Sequence, residues 1–143
     1  MRCLTAAVAI LLGTQVGAHE GVKNPAVMAR MNDMKAIAGN MKIVGDMAKG
    51  TARFDATAAR TAMGKVAEGA GRTPALFTPR QDDPKSEALP AIWDTFDDFT
   101  KEAGRLEAVA TRFSETIETP EDLRSALSAV GETCKSCHET YRK

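Results

Sequence analysis

With 143 residues the chain has room for one ordinary domain, and it is long enough to bury a single core without metal staples. Its 19 basic and 19 acidic side chains cancel, which argues against a nucleic-acid partner.

The first residues read as an export leader. Met1-Arg2 is a short positive start, Leu4 to Leu12 is an almost unbroken apolar run, and Val16-Gly17-Ala18 supplies small residues for cleavage. A membrane anchor is the weaker reading, because the run falls well below the roughly 20 residues that span a bilayer. The expected division is a signal peptide over residues 1–18 and one periplasmic domain over 19–143, with no membrane span after cleavage. Cleavage removes Cys3 and Arg2, leaving Cys134 and Cys137 as the cysteines and 18 basic against 19 acidic side chains, a net charge of minus one.

Four helical stretches follow. Asn24-Pro25 pairs a capping residue with proline at the first helical position, and the helix it starts runs to about Lys49-Gly50. Its seam is Val27, Arg30, Met34, Ile37, Met41, Val44 and Ala48. A second, alanine-rich stretch from about Arg53 to Gly69 has the weaker stripe Phe54, Ala58, Ala62, Val66. The segment from Gly69 to Pro84, with Gly71, Pro74 and Pro79, is expected to break the helix. The third stretch, Leu89 to Ile117, carries the clearest seam: Ile92, Phe96, Phe99, Ala103, Leu106, Ala110, Phe113, Ile117. Thr119-Pro120 starts the fourth, with seam Leu123, Leu127, Val130, Cys134, Cys137, Tyr141. Steps alternating between three and four indicate helices crossing at shallow angles, so the expected fold is an all-α four-helix bundle and not a globin-like array.

The fourth stretch contains Cys134-Lys135-Ser136-Cys137-His138. Two thiols at this spacing can both add to the vinyl groups of one haem, and the following imidazole can reach the iron. A redox C-x-x-C is expected near a βαβ pattern, and a structural zinc needs about four ligands. The sequence offers neither. Both cysteines fall on the apolar seam, with His138 on a neighbouring line. A haem held there lies against the inside of the bundle and takes up core volume that the alanine-rich helix and Trp93 leave unfilled.

The run Cys134 through Arg142, a C-K-x-C-H-x-x-aromatic-Arg pattern ending a four-helix exported chain, resembles the class II c-type cytochromes, the cytochrome c-prime family. The Ala-Leu-Pro-Ala-Ile-Trp segment at 88–93 and the Arg-x-x-x-Met of Arg30 and Met34 are similar to that family's pattern too. The resemblance covers essentially the whole mature chain. It implies an up-down-up-down bundle, one covalent haem c per chain on Cys134 and Cys137, and His138 as the proximal iron ligand. Homodimers are common in the family, and nothing in these helices excludes one.

Two functional kinds occur in that family. In one, histidine is the only protein ligand and an apolar pocket admits nitric oxide or carbon monoxide; in the other, a methionine of the first helix completes the coordination and the protein carries electrons. In an up-down-up-down bundle the first and last helices are antiparallel. Met34 lies about 15 Å past Asn24, and His138 about 8 Å before the end, at 1.5 Å per residue, so both fall near one end. Met34-Lys35 followed by Gly39-Asn40-Met41 resembles the methionine-ligated branch. Methionines are also ordinary core fillers, and Met28, Met31, Met41 and Met47 share this helix. Met31 and Met41 are the substitutes for Met34, with Met31 expected on a neighbouring line where its loss affects packing alone.

The resulting expectation is a carrier of single electrons, not an enzyme, with His138 and Met34 as axial ligands and unidentified redox proteins as partners. The haem propionates add negative charge, which suits a basic partner. The alternative is a five-coordinate protein that binds or buffers nitric oxide or carbon monoxide with Met34 unligated. A third reading is a bundle with a redox C-x-x-C and no haem. Arg30 occupies a seam position where an apolar residue is expected. It is either a snorkelling edge residue or a forked partner for a haem propionate. Arg142 and Lys143 suit the negative end of the last helix, with Arg142 matching a basic residue the family keeps near the haem histidine. Asp94, Asp97 and Asp98 read as a solvated helix face.

Overall fold

The structure, a computed structural model, describes residues 21–143; the leader read over 1–18 lies outside the described residues. Helices α1 (Pro25–Ala48), α2 (Ala56–Phe77), α3 (Ala91–Asp94), α4 (Phe96–Thr116) and α5 (Pro120–Tyr141) follow in order. Among the described residues the one extended pairing is an isolated antiparallel bridge between Ala88 and Arg142. Helix α2 packs on α1 and α4, and α5 packs on α4 and α1, so the four long helices close the ring of a four-helix bundle. The α1–α5 contact is the thinnest of the four.

The helix starts follow from their caps. Asn24 Oδ1 accepts from the Ala26 and Val27 amides at 2.9 and 3.3 Å, with Pro25 next in the chain. Thr119 Oγ1 accepts from the Asp122 amide at 3.2 Å while Asp122 Oδ2 accepts from the Thr119 amide at 2.9 Å, a reciprocal capping box.

Three boundaries differ from expectation. The least is the start of α2, which Asp55 caps by accepting from the Ala58 amide at 2.9 Å, so that Phe54 lies just outside the helix. Helix α2 does not stop at Gly69; it continues through Gly71 and Pro74 to Phe77. A proline inside a helix costs about 3 kcal/mol, so other contacts must offset it. Thr73 and Phe77 are buried. The last carbonyls of α2, left over where the helix ends, are taken by side chains from elsewhere: Arg30 Nε donates to Leu76 O at 3.0 Å and Trp93 Nε1 to Phe77 O at 2.8 Å. The glycines belong to packing. A Cβ on Gly69 would stand 2.6 Å from Ile37 Cγ1. The third difference is that Thr95, with φ −131° and ψ 50°, separates the single turn α3 from α4. Its hydroxyl donates back to Ala91 O at 3.0 Å.

The main core lies towards one end of the bundle. Val44 of α1, Met63 and Val66 of α2, Ile117 after α4, and Leu123 and Val130 of α5 are wholly buried there. A smaller cluster of Phe77, Ile92, Phe99 and Tyr141 closes the other end, with Phe99 edge-on to Phe77 and Tyr141 at centroid distances of 5.0 and 5.3 Å.

Candidate haem site

Between the two clusters lies a cavity of about 750 Å³. Its α1 wall carries Met31, Met34 and Met41, and its α5 wall carries Cys134, Cys137 and His138. The structure thus brings together residues about a hundred positions apart in sequence. Apolar side chains of the other helices, Ala70, Phe77, Phe99, Ala103 and Leu106 among them, complete the lining.

Cys134 and Cys137 are half-buried on one face of α5. Burial pushes both thiols up. Cys137 rises to about 11, with burial first and the Glu102 carboxylate and Cys134 adding to it. Nucleophilic redox dithiols need thiolate at neutral pH. These thiols are protonated there, which speaks against the redox C-x-x-C reading. No cluster of three or more His, Cys, Asp or Glu side chains that could hold a metal ion occurs among the described residues, so a zinc reading has no support either.

His138 is exposed as a residue, yet enough of its ring is covered that burial lowers its pKa. Arg142 one turn on adds to the effect, and Glu87 opposes it. The imidazole is therefore held neutral, the form that ligates a metal. Arg142 lies just beyond α5 and donates from Nε to Glu87 Oε2 at 2.7 Å. Its partner is thus a carboxylate of the preceding segment, in addition to the helix end.

Arg30 is not a snorkelling residue; it is only 3% exposed. Its guanidinium donates to the carbonyls of Leu76 at 3.0 Å, Gln81 at 2.8 Å and Pro79, and lies over the rings of Phe77 and Trp93 at 4.6 and 5.3 Å. These bonds account for its burial without a propionate. Two of its five N–H donors remain, and it borders the cavity. Met31 also differs from expectation: it lines the same cavity as Met34. Three helical residues turn the chain through about 300°, leaving the two side chains only some 60° apart.

Sequence reasoning missed several residues. Glu102 lines the cavity and accepts from Ser136 Oγ at 3.2 Å, beside Cys137. Lys35, Lys85 and Glu87 stand at its edge. Asp33, next to Met34, is buried and accepts from Arg72 Nη2 at 2.8 Å. Asp83 accepts from the Lys23, Asn24 and Lys85 amides. The Asp-Pro pair at 83–84 was the available signal for that last site, since Asp before a turn captures amides two residues on.

The donor set and the cavity fit a covalently bound haem: two thiols and an imidazole on one helix face, opening into a largely apolar space within the usual size range of cofactor sites. Such a fold and site define a c-type cytochrome of the four-helix-bundle class. The model of the family described as cytochrome C' matches residues 25–142, and the chain belongs to that family, carrying one haem c. The cytochrome c-556 of Agrobacterium tumefaciens (strain II Chrys) is 33% identical over 117 residues, 81% of this chain and 95% of that protein. Among solved structures, the cytochrome c' of Rhodopseudomonas palustris is 28% identical with a TM-score of 0.78, covering 85% of this chain and 98% of that one. The structure of oxidised cytochrome c556 from R. palustris is 26% identical with a TM-score of 0.77, over the same shares.

Proposed function

We propose that this c-type cytochrome is an electron carrier of the periplasm, with His138 as proximal and Met34 as distal iron ligand. The reading rests on one observation above the others: Met34 borders, from α1, the same cavity that His138 borders from α5. A haem bound here supplies a one-electron iron couple. The chain's own residues determine how that couple behaves. Cys134 and Cys137 hold the group by thioether bonds that outlast unfolding. His138, neutral and flanked by Arg142, supplies nitrogen to one side. A thioether from Met34 favours the reduced state and raises the potential, and it leaves no open position for catalysis. The apolar lining keeps water away, which also raises the potential. The c-556 names of several relatives agree with this reading. The periplasmic assignment rests on the leader, and no described helix is long and apolar enough to cross a membrane. Its partners are other redox proteins.

Substituting Met34→Ala tests the assignment. The oxidised wild type shows the weak near-infrared band of a sulfur-to-iron bond; the variant loses it, becomes high-spin and has a lower potential. Met28→Ala, on the same helix but outside the cavity lining, keeps the band. Met31→Ala and Met41→Ala, which alter the cavity wall, also keep it. A band that survives Met34→Ala and disappears with Met31→Ala or Met41→Ala moves the ligand to that residue.

A further inference from the structure

The segment 78–90 joins the α1 wall to the end of α5, two helices whose own interface is the thinnest of the four. On the α1 side, Asp83 Oδ2 accepts from the amides of Lys23 and Asn24 at 2.9 and 3.0 Å, and Asn24 Nδ2 donates to Gln81 Oε1 at 2.9 Å. Arg30, one turn before Met34, donates to Pro79 O and Gln81 O. On the α5 side, the Leu89 amide donates to Tyr141 O at 2.9 Å and the Lys143 amide to Glu87 O at 2.9 Å. Arg142 Nη2 pairs with Glu87 Oε2 at 2.6 Å. The segment is fixed to both walls by backbone and charged contacts, and Ser86, Glu87 and Ala88 border the cavity.

We infer that 78–90 is a strap setting the spacing of the two ligand-bearing walls, and that Asp83 and Arg30 are positioning residues for the face of the haem opposite His138. The inference rests on the proposed Met34 reading for its effect on the iron. A side chain on α1 can stand at a fixed distance from α5 only if something fixes α1 there. The thin α1–α5 interface alone does not. Helix α2 and the main core hold α1 from one side, through the Asp33–Arg72 pair and the packing of Met34 and Ile37. The strap is what ties its first half to the end of α5. Outer contacts that orient ligands commonly change metal-site properties by about tenfold to a hundredfold when removed. Asp83 is the cleaner probe of the two because it does not line the cavity, so it acts on the haem face only through the strap.

The test compares haem-loaded wild type with Asp83→Ala, Arg30→Lys and Asp46→Ala. The last removes an exposed pair with Lys42 at the opposite end of α1. Carbon monoxide uptake by the reduced protein, the near-infrared sulfur band of the oxidised protein, and amide exchange over residues 26–37 and 120–130 are measured. In Asp83→Ala and Arg30→Lys, carbon monoxide binds at least about tenfold faster, the sulfur band weakens, and exchange quickens in the first half of α1 but not in the first half of α5. Asp46→Ala matches the wild type. Strap variants whose carbon monoxide uptake and α1 exchange equal the wild type overturn the inference, whatever their sulfur band. A wild type without the band overturns the Met34 reading instead, and the strap then stands or falls on α1 exchange and uptake rate. Should Arg30→Lys not fold, Asp83→Ala decides alone.

Discussion

At one end of the bundle, Val44, Met63, Val66, Ile117, Leu123 and Val130 interlock with almost no exposed surface. Towards the other, the same four helices enclose a cavity of about 750 Å³ and are joined by the strap, the aromatic cluster, the buried Arg30 and the Asp33–Arg72 pair. The first region is filled by the chain's own side chains and depends on nothing else. The second is complete only with a covalently held group, so its polypeptide packing is thin where that group sits, between α1 and α5. The difference shows how one bundle provides both a stable scaffold and a binding space: small residues and apolar walls line the space, and hydrogen bonds to backbone carbonyls take over the fastening. A substitution in one region should therefore leave the other's readout nearly untouched.

The largest effect is expected from removing both anchors. Cys134→Ser with Cys137→Ser yields an exported chain whose denatured mass equals that of the bare polypeptide. Its thermal midpoint falls further than that of any single core variant, because the cavity loses its filling. Next comes Leu123→Ala in the packed end, with a loss of about 2–5 kcal/mol in denaturant unfolding and an unchanged haem spectrum. A spectral change as large as that of a ligand variant would break the proposed separation. Gly69→Ala is intermediate. Its Cβ would meet Ile37 Cγ1 at 2.6 Å, and overpacking of this kind costs about 1–3 kcal/mol.

The sequence made much of this legible, for local reasons. Asn24-Pro25 and Thr119-Pro120 announce helix starts because capping is decided within a few residues. The seams of α4 and α5 announce buried faces because the period of the helix is fixed. The end of α2 was not legible. Gly69, Gly71 and Pro74 look like breakers in isolation, and the partners that sustain the helix, Ile37, Arg30 and Trp93, are remote in sequence. Thr95 was hidden because the apolar steps Ile92, Phe96, Phe99 run across it unbroken. Cys134, Cys137 and His138 were readable as one motif. The cavity's charged edge was not, since Glu102 and Glu87 come from segments with no motif of their own.

The smallest expected effect is one of acidity. Asp83 is held below the ordinary carboxylate value of 3.8, first by the Lys85 amide and then by those of Lys23 and Asn24. A lowered folded value means that the native state binds fewer protons than the unfolded chain. Its contribution is therefore present above about pH 4 and is lost as pH falls through the folded value. Acid titration of unfolding should accordingly show a shallower loss below pH 4 in Asp83→Asn than in the wild type. Equal slopes would mean that the strap's attachment to α1 does not depend on that charge.

Whether the chain's own thioether closes the cavity opposite His138 is read by adding carbon monoxide to the reduced, haem-loaded wild type. With Met34 on the iron, the spectrum is low-spin and carbon monoxide changes it slowly or not at all, and Met34→Ala converts it to prompt uptake. A wild type that is already high-spin and binds carbon monoxide on mixing would contradict this ligation and leave the gas-binding reading in its place.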